Sequence, residues 1–266
     1  MAVPLAAAVL VAGLTPARAQ TPAQAAPAPP PAASRIDLSP ECSVPTAKLS
    51  VIAPMPTVKA ALRDDRAVRV LVIGAATGGG SFSAMPSYPE RLRSELGRSF
   101  GNAEVVVVHR TLSGEVGSGA AGLVRTVTAE VGPDLVVWQV GAQDALARVS
   151  PEELTEALDE TIGWLRSHDI DAVLVNPQYL AAVGDDAQYV GLVRTVDEAA
   201  RRARVTLVQR YEAMRHLAGR GRERDAPSGF ALSALGKRCL AEHVARTIAQ
   251  AVAATEEPAP AGVPSR

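Results

Sequence analysis

Aromatic residues make up only 3% of the 266 positions, and the formal charge is -1. The first leaves few side chains for stacking bases, and the second gives no electrostatic footprint for nucleic acid. The chain has two cysteines and four histidines. No pair of histidines or carboxylates has metal-ligand spacing, so no metal or other cofactor is expected. The apolar run from Val3 to Leu14 is too short for a membrane span.

That run reads instead as the core of an export signal. The "ARA" at Ala17–Ala19 is a small-x-small cleavage site before Gln20, although no Lys or Arg precedes the run. The alternative is an alanine-rich disordered leader. The expected organisation is a signal peptide over 1–19, an Ala/Pro-rich linker over 20–36, a folded domain over 37–255 and a disordered tail over 256–266. The expected location is periplasmic or secreted. In that setting Cys42 and Cys239 predict a disulfide, against the alternative of two buried free thiols.

What is plentiful is apolar strand sequence. Five nearly continuous runs stand out: 68–75, 103–110, 133–141, 171–178 and 205–211. Such runs suit parallel strands covered on both faces. Helical patterns separate them at 88–100, 120–131, 151–168 and 186–204, and a last one covers 235–254. Ser150, Pro151 and Glu153 form a helix-start signature. Strict alternation predicts a three-layer α/β/α sandwich with a five-stranded parallel sheet. In such folds ligands sit beyond the carboxyl ends of the strands.

The first strand runs into a glycine-rich turn, "GAATGGGS", from Gly74 to Ser81. A phosphate-binding loop of this spacing needs a lysine where Gly80 stands. A dinucleotide fingerprint needs glycine where Ala76 stands, and an acidic residue where the second strand instead ends in His109-Arg110. Both readings fail on those residues.

The whole pattern resembles the SGNH/GDSL hydrolase family, in its exported bacterial branch, from about Cys42 to Val252. Gly74-Ala75-Ala76 occupies the block that ends in the family's nucleophilic serine. Ser113-Gly114-Glu115 occupies the second block, and Gly141-Ala142-Gln143 the third. Ser228 to Ile248 covers the fourth, with Gly229, Gly236 and Cys239 pinning its register. The resemblance implies a flavodoxin-like fold and acyl transfer from an ester. It places the nucleophile position at Ala76, the base at Ala231 and the acid at Ser228. It assigns oxyanion contacts to Gly114 and Gln143.

None of the three triad positions carries a triad side chain. Two functions are therefore expected. One is a non-catalytic protein that holds a small molecule, lipid or cell-envelope glycan in the old cleft. The other is an esterase with a relocated site drawn from Thr77, His109, Ser113 and Asp144. In the bland alternative His109 is a satisfied loop histidine and Asp144 a solvated carboxylate or a helix cap. Asn176 and Gln178 follow the fourth strand and either line the crevice or satisfy loop backbone. Trp138 is expected in the core. His168, His216 and His243 are expected on surface or packing faces.

Overall fold

A computed structural model describes residues 37–74, 87–112, 114–183, 186–220, 230 and 233–254. The five apolar runs form β2 (Val68–Gly74), β3 (Val105–Thr111), β4 (Leu135–Gln139), β5 (Asp171–Val175) and β6 (Thr206–Val208). Each pairs in parallel with its neighbours. The sheet nevertheless has six strands, not the expected five. A two-residue strand, β1 (Ser50–Val51), adds antiparallel to β6, giving the order β1-β6-β5-β4-β2-β3. Two residues followed by Pro54 and Pro56 carry no periodic signal, which is why the sequence does not announce this edge.

The helices follow from apolar spacing and local caps. They are α1 (Pro56–Arg63), α2 (Tyr88–Ser99), α3 (Gly117–Val131), α4 (Ala142–Leu146), α5 (Pro151–Ser167), α6 (Ala187–Ala203), α7 (Arg210–Gly219) and α8 (Ala234–Ala253). Ser150 caps α5 as its signature predicts, accepting from the Glu153 N–H at 3.1 Å. Ser87 and Glu90 form a capping box at the start of α2. Asp186 and Ser233 cap α6 and α8.

Alternation of side chains across the sheet splits the core into two layers. Val70, Val72, Val137 and Val175 pack under α2 and α8 with Leu92, Leu96, Val244 and Ile248. Leu71, Ile73, Val136 and Leu174 pack on the other face against α3, α5 and α6, with Val124, Leu158, Ile162 and Leu192. Each such buried aliphatic side chain is worth roughly 1.5–3 kcal/mol relative to exposure.

The segment before β2 wraps the β6 edge. The Thr206 hydroxyl donates to the Ala53 carbonyl at 2.9 Å and accepts from the Ala53 N–H at 3.0 Å. The Gln209 N–H donates to the Leu49 carbonyl at 2.7 Å. Cys42 and Cys239 are joined by a disulfide, with Cα atoms 5.0 Å apart, and both are buried. His243 lies buried beside this seam, with Nε2 2.7 Å from the Cys42 carbonyl. Among the described residues no helix is long and apolar enough to cross a membrane.

Candidate functional site

The strand order reverses at β2. The chain steps outward to β3, returns to β4 on the other side of β2, and then continues to β5 and β6. A crevice opens beyond the carboxyl ends at this switch, and it is where such folds bind ligands. A cavity of about 360 Å³ lies there, within the size range of small-molecule sites. Its wall takes residues from the end of every parallel strand: Gly74 after β2, Thr111 and Gly114 after β3, Gln139 and Gly141 after β4, Asn176 after β5, and Arg210 after β6.

Two glycines make the close approaches possible. Gly74 has φ +154°, and a Cβ there would sit 2.5 Å from Cβ of Gln139. Gly141 has φ +92°, and a Cβ there would meet the Pro177 ring at 2.9 Å. Glycine alone tolerates both the dihedral and the crowding.

Of the family positions, Gly114 and Gln143 line this one cavity. Ala76, Ser228 and Ala231 lie outside the described residues, as do Thr77 and Ser113. Gly74, two residues before Ala76, is on the cavity wall.

Asp144 also borders the cavity but is committed elsewhere. Its buried carboxylate accepts from the Gly117 N–H at 2.8 Å and from the Gly141 N–H at 3.1 Å. It ties the start of α3 to the start of α4. His109 is not among the lining residues. It alternates with Val105 and Val107 on the α2 side of the edge strand β3. Burial, aided by Arg110, holds its imidazole below its ordinary pKa, and its Nε2 has no hydrogen-bond partner among the described residues. Asn176 serves twice. It lines the cavity, accepts from the Tyr211 N–H at 3.0 Å, and donates to Asp197 at 2.9 Å. The carbonyl of Gln178, also on the wall, accepts from the Tyr189 hydroxyl at 2.5 Å. Trp138 is buried in the core and forms part of the wall.

The residue that sequence reading missed is Arg210. The fifth apolar run reads as strand to position 211, but β6 stops at Val208 and Arg210 starts α7. Arg210 is 7% exposed and lines the cavity. Burial pulls its guanidinium down to about 10, against the opposing pull of the Tyr88 and Tyr189 hydroxyls. The same environment pushes Tyr189 up to about 12 and raises Tyr88 further, with burial the leading cause in each. The available signal was position. A lone cation after an apolar strand lies where all the strand ends converge.

Among the described residues, the cavity wall holds no histidine, serine, cysteine or lysine. It offers amides, a guanidinium, the Thr111 and Tyr189 hydroxyls, the Glu115 and Asp144 carboxylates, and apolar surface from Val140, Leu146, Pro177 and Leu180. No cluster among the described residues is arranged to hold a metal.

The sheet order and the switch-point cavity are those of an SGNH/GDSL-type hydrolase fold. Within that class the chain belongs to the non-GDSL lipase-like family, which it matches over residues 41–254. Solved structures agree on the fold. LAE5, an α/β hydrolase enzyme from the metagenome of Lake Arreo in Spain, superposes with a TM-score of 0.57 at 19% identity, covering 71% of this chain and 98% of its own. TesA gives 0.56 at 20% identity, covering 68% and 97%. A catalytic variant of Axe2, an acetylxylan esterase from Geobacillus stearothermophilus, gives 0.56 at 18%, covering 68% and 94%. Curated protein sequences contain no match.

Proposed function

We propose that this protein is an exported member of the family that has lost ester hydrolysis and binds a ligand in the cleft where acyl transfer would occur. The observation that carries the reading is the cavity wall, whose described residues include no histidine, serine, cysteine or lysine. The sequence supports it, because alanine stands at the nucleophile and base positions 76 and 231, and serine at the acid position 228. Loss of nucleophile and base together is coherent, since they act as a unit and neither helps alone. The leader over 1–19 and the disulfide support export to an oxidising compartment. The domain proper is residues 37–255, and its ligand is a small molecule, lipid or cell-envelope glycan.

The test is turnover of a fluorogenic acetyl ester by purified protein. Rates at background are expected, unchanged by His109→Ala or Ser113→Ala. Restoring Ala76→Ser, Ser228→Asp and Ala231→His together raises turnover more than any one of them. Robust wild-type turnover abolished by His109→Ala would instead establish the relocated Thr77, His109, Ser113 and Asp144 site.

A further inference from the structure

Among the described residues, Arg210 is a buried cation without a counter-ion. Its one hydrogen bond among the described residues runs from Nη1 to Gln139 Oε1 at 3.3 Å, and that acceptor is neutral. The charged or ionisable groups that act on it are the Tyr88 and Tyr189 hydroxyls, with no carboxylate among them. The two carboxylates of the wall are otherwise placed. Asp144 accepts from backbone amides, and Glu115 is on the exposed rim. A guanidinium removed from water costs several kcal/mol unless an anion faces it. It also sits at the first position of α7, where the helix dipole adds positive potential instead of offsetting it. Packing alone gives no reason to keep a charge there.

Its neighbours extend the same pattern. The amide nitrogen Nε2 of Gln139 and the hydroxyl of Tyr88 are both buried and lie beside each other, and among the described residues neither has a hydrogen-bond partner outside that pair. Gln139 in turn crosses Gly74, where β2 ends. Donors of Arg210 and Gln139 thus lie together on the cavity wall, with Gln139 against the last residue of β2. A carboxylate or phosphate matches the charge and the planar fork of an arginine better than a neutral carbonyl does.

We propose that Arg210, with Gln139 beside it, binds the anionic end of a small ligand, a carboxylate or a phosphate, whose remainder lies along Val140, Pro177 and Leu180. This deepens the reading of the cleft as a binding site and rests on it. The cavity volume suits one sugar-sized unit.

Isothermal titration calorimetry on the full chain tests this with three probes: glucuronate, glucose 6-phosphate and glucose. Binding of at least one anionic sugar is expected, with glucose weaker by about tenfold or more. Which anionic sugar binds separates carboxylate from phosphate. Arg210→Met removes that preference, Arg210→Lys restores part of it, and Arg202→Gln, on the exposed end of α6, leaves it unchanged. Arg210→Met is also expected to raise Tm in the absence of ligand, since an uncompensated buried charge is gone. Equal binding of glucose and the anions, no binding of either anion, or a lower Tm for Arg210→Met would overturn the proposal. The ester assay reports separately. An active esterase that still prefers anions through Arg210 refutes loss of hydrolysis but not the anion site.

Discussion

The amino-terminal seam and the cleft treat their buried polar groups in opposite ways. At the seam the charged and ring groups have partners. The Ser39 N–H donates to Glu242 at 2.8 Å, Arg238 pairs with Glu41 at 3.1 Å, His243 meets the Cys42 carbonyl, and a disulfide locks the layer. At the cleft Arg210 has, among the described residues, one side-chain hydrogen bond, to the neutral Gln139 Oε1 at 3.3 Å. Unsatisfied buried groups are costly and uncommon. A buried arginine with no carboxylate acting on it marks the strand ends as a region kept for something other than stability.

The largest way to break this contrast is to open the seam. Cys42→Ser removes a cross-link that spans 197 residues of sequence. A loss of about 4 kcal/mol is expected, read as a lower denaturant midpoint. Under the same conditions the folded protein keeps its cleft, so ligand binding at low denaturant should change little.

Acid attacks the seam through His243. Burial holds its imidazole down to about 4, with the bond to the Cys42 carbonyl opposing and Arg246 adding slightly. A depressed base binds fewer protons folded than unfolded. Its stability contribution is therefore present above about pH 6.5, is lost as pH falls toward 4, and amounts to about 3 kcal/mol. Asp171 works the other way. Burial raises its carboxyl to about 6 despite bonds from Val58 and Thr57, so its contribution grows as pH falls through that value and is lost as pH rises. The His243 effect is best isolated as the difference between wild type and His243→Gln in Tm from pH 7 to pH 4. A parallel pair of curves would remove the assignment.

A smaller effect sharpens the cleft side. Asp144→Ala strands the Gly117 and Gly141 N–H groups and should cost about 2 kcal/mol, while Asp144→Asn keeps one acceptor and costs less. If Asp144 instead served catalysis, both variants would lower ester turnover with stability unchanged.

Most of the scaffold was legible in residues 68–254 because parallel strands buried on both faces are long apolar runs, and helices between them carry caps such as Ser150. The edge strand was not, since Ser50–Val51 is too short for periodicity to act and its place is set by tertiary bonds to Val208 and Leu207. The helix α7 was hidden because "VQRY" continues a β-rich composition, yet the strand ends where the Gln209 N–H turns to Leu49. In the site, Gly114 and Gln143 could be placed from the family frame, as that frame fixes strand ends. Arg210 could not, because a single arginine after a strand looks like any solvated residue until the fold shows that it is buried.

The disulfide also decides how the domain responds to a pull. Tension applied between the two ends of the chain enters at Cys42, crosses the sulfur–sulfur bond and leaves through Cys239 along α8. Residues 43–238, including all six strands and the cavity, lie in a loop outside that load path. The sheet is a passenger, shielded from mechanical stress by one covalent shortcut, and reducing that bond would transfer the whole force to the β1–β6 edge and the strands behind it.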